Sequence, residues 1–131
     1  MALASAVRIA FEPLRYLPFG DFENGVFVPV KTTSGMVPND GMDIATPIVN
    51  PVRMLKIKNI TNTDVYISYN GIQAEDIVIS PSGEVDDYGS NQSFAGGLLE
   101  LPAGGFIYVM GVGAAPTAGT IYVTVIYADV A

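Results

Sequence analysis

Short runs in which apolar and polar residues alternate make up much of this 131-residue chain, and most runs end at a turn residue. In the run 53–59, Leu55 and Ile57 alternate with two lysines, which is the two-residue period of a strand with one wet face. In the run 64–69, Val65, Ile67 and Tyr69 share one face in the same way. These two runs therefore predict strands.

Similar runs recur about every ten residues, and they are rich in β-branched and aromatic residues. No segment shows a sustained helical period, and nine Pro and 14 Gly are spread along the chain. Seven to nine short strands are predicted, and the clearest cover residues 25–30, 53–59, 64–69, 77–80, 98–101, 106–110 and 120–127. Residues 6–11 are a first strand or an extended arm, and the apolar run 14–19 ends at Pro18 and Gly20. Loops are expected at 32–51, 84–97 and 111–119, and Asn70-Gly71 predicts a type I′ hairpin turn.

This arrangement predicts an all-β protein, an antiparallel β-sandwich or barrel, with long loops. We expect a single domain over residues 1–131, because no composition shift or internal repeat divides the chain. Residues 52–131 supply the core strands, and residues 1–51 are expected to form an extended N-terminal arm and a loop-rich edge. Pro29 lacks a backbone donor and should confine its strand to a sheet edge.

The composition excludes several classes of chemistry and partner. The chain contains no His, Cys or Trp, which excludes imidazole bases, thiolate nucleophiles, disulfides and His- or Cys-ligated metals. Six Lys and Arg stand against 13 Asp and Glu, for a net charge of −7, so no nucleic-acid partner is expected. The absence of Cys suits synthesis in a reducing cytoplasm.

Neither a signal peptide nor a membrane span is expected. Residues 1–11 have no basic start and no sustained apolar core. Residues 101–128 form an uncharged stretch that is long enough to span a membrane. Pro and Gly, however, divide it into short β-branched runs. We predict two buried strands and a connecting loop there, and no membrane partner.

The candidate sites for chemistry are weak. Glu84, Asp86 and Asp87 place carboxylates together, but adjacent acids in a polar loop do not have the different environments that split catalytic pKa values. The segment 39–43 lacks the alternating ligands of a calcium loop, and the glycines at 104–105 and 111–113 lack the Lys and helix of a phosphate cradle. We therefore assign no catalytic, cofactor-binding or metal-binding residue, and no cofactor.

Two kinds of surface remain. Tyr66 and Tyr122 are the best candidates for exposed rings, which would stack on sugars in a carbohydrate-binding module. The other surface is apolar: half of the residues are hydrophobic and 15% are charged, which leaves little polar cover for one small domain. Because monomers rarely expose large apolar patches, we expect a partner to bury part of this surface.

Residues 53–71, RMLKIKNITNTDVYISYNG, contain a strand, an Asn/Thr turn and a strand that ends before Asn-Gly. In residues 98–128, LPAGG precedes a strand, a loop containing APTAGT and the closing strand IYVTVIYA. These two stretches resemble small virion proteins of tailed bacteriophages. Together they cover 50 of the 131 residues, and they are patterns of strands and turns that identify no catalytic residue.

The resemblance implies a jelly-roll-like sandwich and a non-enzymatic virion structural protein. Capsid cement, or decoration, proteins of this kind sit on the capsid exterior and bridge subunits of the major capsid protein. We accordingly expect the major capsid protein as partner and self-association as a dimer or trimer. A neck or tail component, such as a head–tail junction or fibre protein, and a carbohydrate-binding β-sandwich remain the alternatives.

Overall fold

The structure is a computed structural model that describes residues 7–33, 43–50, 52, 54–79, 83–89 and 104–130. These residues form ten strands and one 3-10 turn, Phe19–Asp21. The strands are β1 (Val7–Phe11), β2 (Arg15–Pro18), β3 (Val28–Pro29), β4 (Lys31–Thr32), β5 (Met54–Asn59), β6 (Val65–Ser68), β7 (Asp76–Val78), β8 (Gly83–Gly89), β9 (Tyr108–Gly111) and β10 (Thr120–Val130).

The strands form two antiparallel sheets, which confirms the prediction of an all-β, sandwich-like fold. Sheet 1 has the order β4-β2-β10-β5-β8, and β1 pairs with the far end of β10. Sheet 2 has the order β3-β9-β6-β7. β3, which contains Pro29, lies at the edge of sheet 2, as its missing donor requires.

The core lies between the two sheets and follows the two-residue period. In β5 the inward Leu55 and Ile57 are fully buried, whereas Lys56 and Lys58 are exposed. Sheet 2 behaves in the same way along β6, β7 and β9. The fully buried inward residues are Leu17, Leu55, Ile57, Ile121, Val123 and Val125 of sheet 1 and Val65, Ile67, Val78 and Val109 of sheet 2. Their burial is what holds the two sheets together.

The expected extended arm is not confirmed, because four strands within residues 7–33 pair in the two sheets. β1 and β2 both pair with the same edge of β10. Glu12 continues the β1 register opposite Val125, and Arg15 of β2 lies opposite Val123. Residues 13 and 14 therefore face a single residue of β10, Thr124. This is a β-bulge, and its first residue is Pro13, which has no backbone donor to lose. β1 and β2 belong to sheet 1 because both pair with β10, the long last strand.

The loop-rich edge closes one side of the sandwich. Val28–Pro29 pairs in sheet 2 and Lys31–Thr32 pairs in sheet 1, so the chain changes sheets at buried Val30. Residues 43–50, in the predicted loop 32–51, contain no strand of their own. Ile48 nevertheless exchanges backbone hydrogen bonds with Gly104 and Gly105, which fastens this segment to the start of the β9 strand region.

Two local predictions are wrong. Residues 84–89 of the predicted loop 84–97 belong to β8, because pairing with β5 overrides their low strand propensity. Asn70-Gly71 does not form a two-residue hairpin turn, since β6 and β7 are joined by the loop 69–75. The predicted strand 98–101 lies outside the described residues.

Side-chain hydrogen bonds explain the longer loop. The Asn70 Oδ1 accepts from the backbone N–H groups of Ile72 (2.8 Å) and Gln73 (3.1 Å). The Ser68 Oγ accepts from the Gly71 N–H at 2.9 Å, and Gly71 has the positive φ (+76°) that the dipeptide predicted. These bonds stabilise the loop in place of a hairpin turn.

Candidate interaction surface

The outer surface of sheet 2 is apolar. Along β6, β7 and β9 the residues that alternate with the buried ones point away from the core. Ile77 and Ile79 are 40% and 55% exposed, and the other members are half-buried. Tyr66 lies opposite Ile77 on one side and Met110 on the other, which forms a row across three strands. We call this surface the outer apolar face and define it as Tyr66, Ile77, Ile79, Tyr108 and Met110.

The loop 69–75 holds one end of this face. An added Cβ on Gly71 would lie 3.1 Å from Cζ of Tyr108, so the glycine backbone packs directly on the tyrosine ring. The ring of Phe106 lies on the same strand region, with its centroid 6.2 Å from that of Tyr108 in a tilted arrangement. The aromatic end of the face is therefore held in a fixed position.

Two carboxylates border the face. A shallow, open depression is lined by Tyr66, Ala74, Glu75, Asp76 and Ile77. The Glu75 carboxylate accepts a hydrogen bond from the Tyr69 N–H at 2.7 Å, and the Asp76 carboxylate accepts one from the Ile77 N–H at 2.7 Å. One oxygen of each carboxylate thus fixes the loop, and the depression brings acidic and apolar groups together.

The same two acids affect a half-buried tyrosine. Burial, followed by the negative charges of Asp76 and Glu75, raises the pKa of the Tyr69 hydroxyl well above its usual value. Tyr69 therefore stays neutral here far into the alkaline range. A neutral phenol beside two carboxylates leaves the border of the face acidic.

The outer surface of sheet 1 is mixed. Its middle rows each contain an exposed lysine, with Thr124 opposite Lys56 and Tyr122 opposite Lys58. One end is apolar, where the buried Ile126 lies between Phe11, which is 63% exposed, and Met54. This smaller apolar row is the principal rival to the outer apolar face.

A buried ion pair supports that side of the molecule. The Glu12 Oε1 lies 3.0 Å from Nη1 of Arg15, and both side chains are 3% exposed. The Glu12 Oε2 accepts from the backbone N–H groups of Val49 (3.0 Å) and Asn50 (2.7 Å), and Nη2 of Arg15 donates to the Pro47 carbonyl at 3.3 Å. The pair therefore fastens the segment 47–50 to the bulge, which is a structural role.

The acidic residues Glu84, Asp86 and Asp87 lie on an edge strand rather than in a loop. Glu84 is opposite Lys58 in the register, and the shift between Leu55 and Ile57 places Asp86 and Asp87 opposite Lys56. These three residues therefore belong to the backbone ladder of sheet 1.

The structure describes part of the remaining candidate segments. Of the segment 39–43, Asp43 is described, and it is buried as the acceptor of a 2.9 Å hydrogen bond from the Tyr16 hydroxyl. Gly104 and Gly113 have positive φ values of +97° and +82°, as turn glycines do. No group of three or more acidic residues in the described part of the chain is placed to hold a metal ion.

The two tyrosines expected to stack on sugars do not come together. Tyr66 lies on the outer surface of sheet 2 and Tyr122 on that of sheet 1, so the core separates them. A common aromatic platform is excluded by this geometry. Each ring would have to bind a ligand by itself.

Sequence reasoning missed the difference between the two outer surfaces and the Glu12–Arg15 pair. The sequence did contain a sign of the difference between the surfaces. Ile77 and Ile79 flank Val78, which is buried, so apolar residues lie on both faces of one strand. For the second, the signal was Pro13 between an acid and a base three residues apart.

Comparison of the chain with profiles of known protein families, with curated proteins and with solved structures found no match. Among the described residues, no helix has the length and apolar character needed to cross a lipid bilayer.

Proposed function

We propose that this protein is a non-enzymatic structural component of a tailed-bacteriophage virion, a cement or decoration protein on the capsid exterior. In this role it bridges and stabilises subunits of the major capsid protein. It is made in the host cytoplasm, and the free protein is a small oligomer or a monomer. The resemblance of residues 53–71 and 98–128 to small virion proteins supports the virion assignment.

The observation that carries the proposal is the outer apolar face. An antiparallel sheet that faces water normally presents polar residues outward, as the middle rows of sheet 1 do. Sheet 2 instead presents Ile, Met and Tyr on three adjacent strands. Burial of such a surface against a neighbour removes apolar area from water, which is the principal driving force of stable association.

A jelly-roll-like topology is part of the same proposal. Two antiparallel sheets and a strand segment that passes from one sheet to the other at Val30 support it. A stable shell contact buries more than about 1,000 Å² in total, which a whole sheet face can provide. Repetition over many identical joints then adds stability by multivalency.

The test compares virion shells with and without this protein. Shells from a phage in which the gene is deleted should rupture at a lower temperature or a lower internal pressure, and adding back the purified protein should restore their resistance. Quantitative mass spectrometry of intact virions should find many copies per shell. Equal robustness of the two kinds of shell would refute cementing, and a copy number of one small ring would favour a neck component.

A further inference from the structure

We infer that the outer apolar face is the docking surface, and that it binds an apolar patch bordered by Lys and Arg on the shell protein. The inference rests on the proposed function and specifies which side of the chain does the work. It places sheet 2 against the shell and the polar rows of sheet 1 toward solvent.

The first support is the continuity of the face. The row Ile77–Tyr66–Met110 spans β7, β6 and β9, and Tyr108 and Ile79 extend it in both directions along the strands. By contrast, the described side chains of the rival apolar row on sheet 1 are Phe11, Ile126 and Met54, of which Ile126 is buried, and toward the middle of the sheet the row ends at Thr124 and Lys56.

The second support is the distribution of charge. Every Lys and Arg that the structure describes lies on a strand of sheet 1, at Arg8, Arg15, Lys31, Lys56 and Lys58. The described stretches 59–79 and 104–127, which supply β6, β7 and β9 and their loops, contain no Lys or Arg. The depression beside Tyr66 adds the carboxylates of Glu75 and Asp76. A matching surface is therefore apolar with cations at its border.

The same distribution argues against a second copy as the occupant. Two copies packed face to face through sheet 2 would bring together two acidic borders without a basic residue from β6, β7 or β9 to pair with them. Uncompensated like charges at an interface oppose association. A different, basic partner suits the face better.

The experiment measures binding of purified variants to shells that lack the protein, by cosedimentation at low and at high salt. The apolar test is I77N/I79N, which removes two exposed isoleucines without adding charge. Its control is F11N, on the rival row of sheet 1. The charge test is E75Q/D76N, which keeps the acceptor oxygens of the loop, and its control is K56Q on the exposed side of β5. Urea denaturation first confirms that each variant is folded.

We expect I77N/I79N to weaken binding at least about ten-fold, because central apolar contacts dominate interface energies. E75Q/D76N should bind more weakly at low salt and with a shallower salt dependence, because two charge contacts are lost. F11N and K56Q should bind like the wild type.

Four results overturn the inference. If F11N or K56Q weakens binding and the sheet 2 variants do not, the docking surface is on sheet 1 and the proposed function still stands. If the wild-type protein does not bind shells, the proposed function fails and this inference fails with it. If the free protein is a dimer or trimer that I77N/I79N dissociates, a second copy covers the face. If Tyr66→Ala abolishes binding to a glycan array, the face is a carbohydrate site.

Discussion

The side chain of Asn59 is the best place to test how the two sheets are held together. It ends β5 in sheet 1 and is fully buried. Its Nδ2 donates to the carbonyl oxygens of Thr63 and Val78, both at 3.0 Å, and Val78 belongs to β7 in sheet 2. Its Oδ1 accepts from the N–H (2.9 Å) and the hydroxyl (2.6 Å) of Thr61. One amide thus joins both sheets and the turn between β5 and β6.

The variant Asn59→Ala removes four hydrogen bonds and leaves buried backbone groups of Thr61 and Val78 without these partners. Each net hydrogen bond stabilises a protein by about 0.5 to 1.5 kcal/mol, and each buried unsatisfied group costs about 1 to 3 kcal/mol. Water entering the small cavity recovers part of this cost. We expect a loss of about 3 kcal/mol in the free energy of unfolding, and a fall in Tm on the order of 10 °C.

The variant Asn59→Asp separates hydrogen bonding from side-chain volume. The acid keeps one acceptor for Thr61, but its second oxygen faces the two carbonyl oxygens that the amide donates to. Burial and these carbonyls raise the folded-state pKa of the new carboxyl above the usual value of about 3.9. The folded state then binds the proton more tightly, so the penalty is smallest below the unfolded-state pKa and grows as the pH rises through the folded-state pKa.

The assay is urea denaturation of the wild type and the variants at several pH values, with the wild type as the reference at each pH. The control is Asn62→Asp, which introduces the same charge on the exposed side of the same turn. Asn62 bonds Thr117 at the surface, so this change should cost less than about 0.5 kcal/mol. The reasoning is refuted if Asn59→Ala costs less than about 1 kcal/mol, or if the Asn59→Asp penalty is the same at every pH.

Three further predictions concern other parts of the fold. Gly119 has φ +89°, and an added Cβ would overlap the Ile60 carbonyl oxygen, so Gly119→Ala should lower the free energy of unfolding by at least ~3 kcal/mol in urea denaturation. The control Gly113→Ala, at φ +82° in open space, should lower it by about 1 kcal/mol. Equal losses would contradict the role of the overlap. Arg15→Met should lower the free energy of unfolding by about 3 to 5 kcal/mol, because it leaves the Glu12 carboxylate buried and unpaired. The double variant with Glu12→Gln should be more stable than Arg15→Met alone. A double variant of lower stability would show that the charge is not the cause. Because the pKa of Tyr69 is raised in the folded state, its stabilising contribution is complete below the unfolded-state pKa and is lost as the pH rises through the folded-state pKa. Ultraviolet titration should find one fewer late-ionising tyrosine in Tyr69→Phe than in the wild type. An unchanged titration would show the assignment to be wrong.

Local periodicity determined the parts of the fold in which neighbours in sequence set the structure. The strands β5 and β6 were predicted because their inward residues recur at every second position, which is a property of the extended backbone itself. The strands β9 and β10 were predicted from runs rich in β-branched and aromatic residues. Pro29 at an edge and Gly71 at positive φ followed from the covalent structure of those two residues. Composition alone removed the His and Cys chemistries.

Tertiary structure decided which strands pair and which surfaces remain uncovered. β8 is a strand because β5 offers it a partner, and β1 and β2 join sheet 1 because β10 is long enough to pair with both. The Glu12 carboxylate is satisfied through a non-local contact, since Val49 and Asn50 donate to it from a distant segment of the chain. The contrast between the apolar surface of sheet 2 and the polar rows of sheet 1 could be read from no single run, because alternation shows that a strand has two faces but not which face the core will cover.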